Sequence, residues 1–441
     1  MLDHSNASVL RLADDGHANS VSGKSLVPMF RWILMILSLA GVLFVPPLAY
    51  SQDQEETKGA PAEPTDAQEI REQIAAVTKI LPTLPDRGAA LYFLAAAKQH
   101  LGETREALAL LKECIALQEG FDPSGEPAFL GLKGSKEFTA LADSVHRDFP
   151  VVAQAREALR TTEKDLIAEG LAYDEPRNVF YLSSLNRRKI VEFGRDGRVS
   201  DFVPSDRFGL LPVLGIMLDP TDGTVWADSF TDSGRTELLH FDANGKLLGR
   251  YNPEGSSKHG FNDLVIRKNG EVITTDSLAN SVYRFDPTAR TFKILAVHRP
   301  LFYPNGIALS SDDQRLYVAD SLGVVIVDLA SGASRDVDPG PRSTLAGIDG
   351  LYWHNGSLIG IQNGIGSPRV ALFRLSSDGL RVTRTNVLEN RSNLCVFPTT
   401  GAIRGSDFFF IANSQIDNMN NDKVMDVTRL EVIRIGVLRL P

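Results

Sequence analysis

The sequence predicts an all-β fold, a six-bladed β-propeller, with a small α-helical region ahead of it. Three observations predict this. A short phrase recurs six times between residues 169 and 400, as EGLAYD, LGIMLD, NDLVIR, NGIALS, DGLYWH and TGAIRG, at spacings of 45, 48, 43, 44 and 51 residues. Repeats of about that length, built from strands and turns, are the mark of propeller blades. From about residue 165 onward the apolar pattern has period two, and Asp222-Gly223, Asn269-Gly270, Asp312-Asp313 and Asn355-Gly356 supply turn chemistry between strands. Helical periodicity is confined to the segment before it.

Taken in order, residues 1–28 are a polar prefix without pattern, and Met29 is expected to be the true start. Residues 29–51 read as a signal peptide: Arg31 in a short basic region, the apolar run Ile33 to Val45, then an Ala49-Tyr-Ser51 cleavage site. That run falls short of the roughly 20 residues a membrane span needs. The body is therefore expected to be exported, periplasmic or secreted, with an uncleaved N-terminal membrane anchor as the alternative. Residues 52–64 form a polar linker with Pro and Gly. The helical region spans 65–158. Thr65-Asp-Ala-Gln68 has capping-box form and opens a helix to about Leu81, Ala89–Leu101 and Thr104–Leu117 pair, and Ser135 caps a helix through Val145. A further helix is expected over about Val152–Leu159. The paired helices resemble a single tetratricopeptide repeat. One such repeat cannot bury both its faces, so the region either packs on the propeller or docks a protein partner.

The propeller is assigned to 159–441. Each phrase opens an inner strand. VFYLSS, TVWADS, VITTDS, LYVADS, LIGIQN and FFIANS follow as second strands, and KIVEFG, ELLHFD, SVYRFD, VVIVDL, ALFRLS and LEVIRI as third strands. Asp165-Leu-Ile167 is expected to pair with the last blade and close the ring.

Equivalent blade positions surround one axis, so the phrase openings Glu169, Leu214, Asn262, Asn305, Asp349 and Thr400 form a ring at one mouth of the channel. Ser184, Asp228, Asp276, Asp320, Asn363 and Asn413 end the antiparallel second strands and crowd the same mouth. For this outer set the satisfaction of turn amides is the preferred role. The inner set has less need of turns: two carboxylates and two amides facing one another call for a partner. A hard cation supplies one. Oxygen donors without His or Cys favour Ca²⁺ or Mg²⁺, Ca²⁺ first, leave Mn²⁺ open and disfavour Zn²⁺. Leu214 and Thr400 leave a gap in the ring, where substrate is expected to enter. His259 reads as a solvated loop residue beside Ser257, Lys258 and Gly260.

A net charge of −9 without basic clusters argues against nucleic acid. Cys114 and Cys395 read as free, packed thiols. No GxSxG elbow is present.

The segments AEGLAYD, FNDLVIRKNGEVITTDS, YPNGIALSSDDQRLYVADS and GIDGLYW resemble the gluconolactonase/regucalcin (senescence marker protein) family, and more remotely the paraoxonases and diisopropyl-fluorophosphatase. The resemblance covers about 160–440. It implies that Glu169, Asn305 and Asp349 are ligands of one divalent cation, that Asn262 contacts substrate, and that Asp349 is also the catalytic base or nucleophile; of the outer set, Asp276, Asp320 and Asn363 are the candidates to stand behind them. One departure stands out: the arginine that such lactonases place two residues before the asparagine is Gly260 here. The expected function is cation-assisted hydrolysis of a small lactone or activated ester. The competing reading is a non-catalytic, metal-stabilised propeller acting as a binding module in the cell envelope. A strictosidine-synthase-like propeller ranks third.

Overall fold

The structure, a computed structural model, describes residues 66–194, 197–255 and 257–441. The prefix, the expected signal peptide, the linker and Thr65 lie outside the described residues. Among the described residues no helix is long and apolar enough to cross a membrane.

Six antiparallel sheets make the propeller, with inner strands Ala168–Asp174, Val213–Leu218, Phe261–Ile266, Ile307–Leu309, Ile348–His354 and Gly401–Arg404. Strand alternation drives their packing. In the first blade Phe180, Leu182, Val191 and Phe193 bury against the last blade, while Tyr181, Ile190 and Val203 bury against the second. Apolar clusters thus lie between the blades, which are held together at roughly 1.5–3 kcal/mol per buried large side chain.

Ring closure differs from the expectation. Residues 152–160 are not helical: Val152–Ala153 adds a fifth strand to the fifth blade, and Arg156–Arg160 is the outermost strand of the sixth, paired with Arg434–Arg439. The closing strand is therefore Arg156–Arg160 rather than 165–167. Arg434–Arg439 is also the third strand of that blade, in place of LEVIRI. Residues 412–433 leave the sheet first, in an excursion carrying the small hairpin Met419–Asn420/Lys423–Val424.

The helices run Asp66–Ile80, Arg87–His100, Thr104–Ala116 and Lys136–Asp148. Ser135 Oγ accepts from Phe138 N at 3.1 Å and starts the last of them. Arg87–His100 is buried from Gly88 to Ala97 without a break. A helix buried all round must be covered on every side, and the propeller supplies one of those sides: Leu322, Ala346 and Ile365 complete its apolar cluster. Of the two expected placements of this unit, packing on the propeller is the one observed. Cys114 and Cys395 are free and buried.

Polar contacts fix the docking. Asp86 caps Arg87–His100 by accepting from Ala89 N at 3.2 Å. Its other oxygen accepts from Thr344 Oγ1 at 2.6 Å and Leu345 N at 2.9 Å in the propeller. Asp122 N donates to Ile365 O at 2.9 Å, and the Asp122 carboxylate accepts from Ser367 and Ser124 and faces His146. Buried Arg369 donates to Gln362 at 2.7 Å and to Glu119 O.

Burial pushes the Asp86 carboxyl up to about 6, against its hydrogen bonds, from an ordinary 3.8. Burial, with the Asp86 charge adding, pushes Glu119 up to about 8. A raised folded-state value means that the stability contributed is complete below the unfolded value and is lost as pH rises through the folded one. Stability of the helical unit should therefore decline as pH rises from about 4 to about 8. Amide exchange of Arg87–His100, corrected for intrinsic rates, should show falling protection across that window, and Asp86→Asn should flatten its lower half. Protection that rises with pH over the window would contradict this assignment.

Candidate functional site

At the phrase openings the inner strands depart from regular pairing. Register shifts fall between Ala168 and Leu171, Val213 and Ile216, Phe261 and Leu264, and Ile348 and Leu351. Each interval holds one ring residue and its successor. Such bulges re-aim side chains. Asn305 and Thr400 stand just ahead of their strands instead.

The second position of the phrase is Gly in five of six cases, because neighbouring inner strands nearly touch there. A Cβ on Gly170 would lie 2.1 Å from Leu214 O, and one on Gly306 would lie 2.2 Å from Asp349 O. The exception is Asp263, a buried carboxyl that sequence reasoning passed over.

Glu169, Asn262, Asn305 and Asp349 are all buried and line one cavity of about 800 Å³. Asn305 Nδ2 donates to Asp349 Oδ1 at 2.8 Å, and Asn363 Nδ2 donates to Asp349 Oδ2 at 2.5 Å. Asn262 Nδ2 donates to Ser277 Oγ at 2.8 Å. Those bonds occupy the amide nitrogens and leave the oxygens. Glu169 Oε2, Asn262 Oδ1 and Asn305 Oδ1 are buried with no hydrogen-bond partner. Unpartnered buried acceptors are costly and rare, and here three of them belong to the predicted ring.

Charge is confined as well. Burial, then the charges of Asp349, Asp263 and Asp228, raise the Glu169 carboxyl well above the usual range. Burial pushes Asp349 up to about 7, with Asp263 adding and the bonds from Asn363 and Asn305 opposing. Asp263 reaches about 7 by burial, and Asp228 is raised well above its ordinary value by burial, with Asp263 and Asp276 adding. The orphaned oxygens and the crowded carboxyls fit a hard cation held by oxygen. Among the described residues no group of three or more His, Cys, Asp or Glu side chains is placed to hold a metal ion. A donor set here therefore has to include an Asn oxygen beside the carboxylates.

The other expected residues divide. Asn363 touches Asp349 directly. Asp320 instead bonds Arg299, Phe302 N and Leu322 N, and Asp276 bonds His259, Gly260 N and Ala279 N, so both brace loops rather than the ring. Asp228 belongs with the ring by charge, and its Oδ1 is unpartnered. His259 is not solvated: it is 8% exposed, and its Nδ1 lies 2.6 Å from Asp276 Oδ2. The expected gap is closed at Thr400, whose hydroxyl bonds Glu169 O and accepts from Leu171 N at 3.1 Å. At Leu214 the slot is apolar, packed with Phe230, Leu278 and Tyr303. Tyr303 also lines the cavity, at a φ of +53° that is uncommon for an aromatic residue.

Fold and ring together define a six-bladed propeller with an oxygen-lined site at one end of its channel. Residues 167–352 match the family described as SMP-30/Gluconolactonase/LRE-like region. No curated protein matches the chain. Solved structures similar to it include a gluconolactonase from Xanthomonas campestris, at 20% identity over 66% of this chain and 97% of that one, with a TM-score of 0.44. A virginiamycin B lyase from Staphylococcus aureus is 14% identical over 65% and 99%, with a TM-score of 0.45. The PQQ-bound aldose sugar dehydrogenase from Streptomyces coelicolor is 14% identical over 65% and 99%, with a TM-score of 0.44.

Gly306→Ala tests the close approach. Its Cβ would meet backbone rather than a movable side chain, so a loss on the order of 1–3 kcal/mol or more is expected in denaturant unfolding. An unchanged midpoint would show that the strands can part without cost.

Proposed function

We propose that the protein hydrolyses lactones or activated esters with one divalent cation, Ca²⁺ foremost, held at the ring. The observation that carries this reading is the set of unpartnered buried oxygens on Glu169, Asn262 and Asn305 around Asp349. The SMP-30/Gluconolactonase/LRE-like region supports a lactonase-type activity. Glu169, Asn305 and Asp349 would hold the cation, with Asn262 facing the substrate. When bound, the cation supplies Lewis-acid polarisation of the substrate carbonyl.

The remaining work falls to the chain. Asn305 and Asn363 each donate to one oxygen of Asp349, so the carboxylate is held in one orientation. Asp349 is the group that takes the proton from the attacking water, or attacks directly. Ser277 bonds both Asn262 Nδ2 and Pro304 O, fixing Asn262 and the Tyr303-Pro304-Asn305 turn relative to each other. Asn262 Oδ1 then remains free beside the substrate, an acceptor for the attacking water. Export by the 29–51 segment is part of the same proposal, as are a small-molecule substrate and the absence of any nucleic-acid partner.

Calorimetric Ca²⁺ titration and turnover on a panel of lactones, aryl esters and phosphotriesters test it together. Wild-type protein should bind one cation and lose turnover on chelation. Glu169→Gln should lose cation binding, and Asp349→Asn should lower kcat by about 10²–10⁴-fold. Full metal content in both variants would refute the site. One tightly bound cation without turnover on the whole panel would favour the non-catalytic propeller.

A further inference from the structure

The cavity that holds the ring is walled in part by the helical unit. Ala89, Tyr92 and Phe93 of Arg87–His100, and Phe121, Gly125, Glu126 and Pro127 after the next helix, line the same cavity as Glu169 and Asp349. We propose that this unit is a fixed specificity wall, and that the substrate carries an apolar ring or alkyl chain which it covers. The proposal rests on the hydrolase reading above and names its substrate class.

Three observations carry it. First, the wall is apolar in what it presents. Tyr92 spends its hydroxyl on Asp122 O at 3.1 Å, and its ring packs 5.0 Å from that of Phe121. Among the described residues that the unit gives to the cavity, Glu126 is the only charged side chain, and one of its oxygens accepts from Ala128 N. Leu214 and Phe230 continue the apolar surface on the propeller side. Second, the wall is pre-formed. Tyr92, Phe93 and Phe121 are 4%, 7% and 3% exposed, and the unit is held at Asp86 and Asp122. At Gly125 the two backbones nearly touch, since a Cβ there would lie 1.8 Å from Gly366 O. A contact that close leaves no slack for a swinging lid. Third, about 800 Å³ is the scale of a drug-sized ligand rather than of a bare small ring.

Polyhydroxylated lactones fit this wall poorly. Each hydroxyl placed against it would lose water without gaining a partner. The propeller side of the cavity does carry polar side chains, among them Asn413, Gln415, Arg429 and Glu431, so the discrimination comes from the face that the helical unit presents.

The test is a homologous series of six-membered lactones bearing alkyl tails from methyl to heptyl, run beside an aldonolactone. In wild-type protein kcat/KM should rise about fourfold per methylene, the equivalent of about 0.8 kcal/mol per buried methylene, through KM rather than kcat, and the aldonolactone should rank last. Phe93→Ala should cut the increment to below about twofold per methylene. Pro127→Glu, at a partly exposed wall position, should do the same should Phe93→Ala fail to fold. A flat series in wild type, or an unchanged increment in both folded variants, would overturn the wall. Matching cyclic ketones, which are not hydrolysed, give the same increment as calorimetric affinities. If no lactone turns over, the hydrolase reading falls, while the ketone series still decides the wall.

Discussion

Everything at the functional end of this molecule depends on how closely neighbouring inner strands approach. At Gly170 and Gly306 the next strand's carbonyl stands where a methyl group would be. That contact narrows the channel until side chains from different blades share one buried volume. Bulges in four inner strands then turn the preceding residue toward it. Polar groups collected in this way cannot all find protein partners, and the oxygens of Glu169, Asn262 and Asn305 are what remains. Packing geometry and binding chemistry are one constraint here, stated first as a distance and then as an unmet hydrogen-bonding need.

The helical unit obeys a similar logic on a larger scale. Its central helix has no polar face, so isolation in water would expose an apolar surface that a single helical repeat cannot cover. Docking buries that surface on Leu322, Ala346 and Ile365, and the rim of the same interface becomes part of the cavity. Buried Asp86 serves both sides, capping the helix and accepting from Thr344 and Leu345. Stability of the unit and the shape of the site therefore rest on common residues.

Much of this was legible in the sequence, for physical reasons. Strand alternation and turn residues are local signals, and they located the six sheets. The phrase spacing located the ring, since equivalent positions in a closed propeller must face one axis. What escaped is non-local. Arg156–Arg160 pairs with residues almost a whole propeller away, and nothing in REALR marks it as a strand. The excursion through 412–433 moved the start of the last third strand on from Leu430 to Arg434, because Val432 and Ile433 are as apolar and β-branched as the residues that follow. His259 has polar neighbours in sequence, but its environment is set by Asp276, 17 residues on. Asp263 carried a usable signal: it stands where the other five phrases have glycine.

The strand Arg156–Arg160 has one more consequence. It follows the helical unit directly, and it is also the piece that completes the sixth blade. The cover over the cavity and the seal of the ring are thus a single stretch of polypeptide. A truncation long enough to remove both would leave the sixth blade with an open edge, its hydrogen-bonding groups unpaired. Removing the helices without opening the ring would require keeping Arg156–Arg160 or supplying another strand in its place.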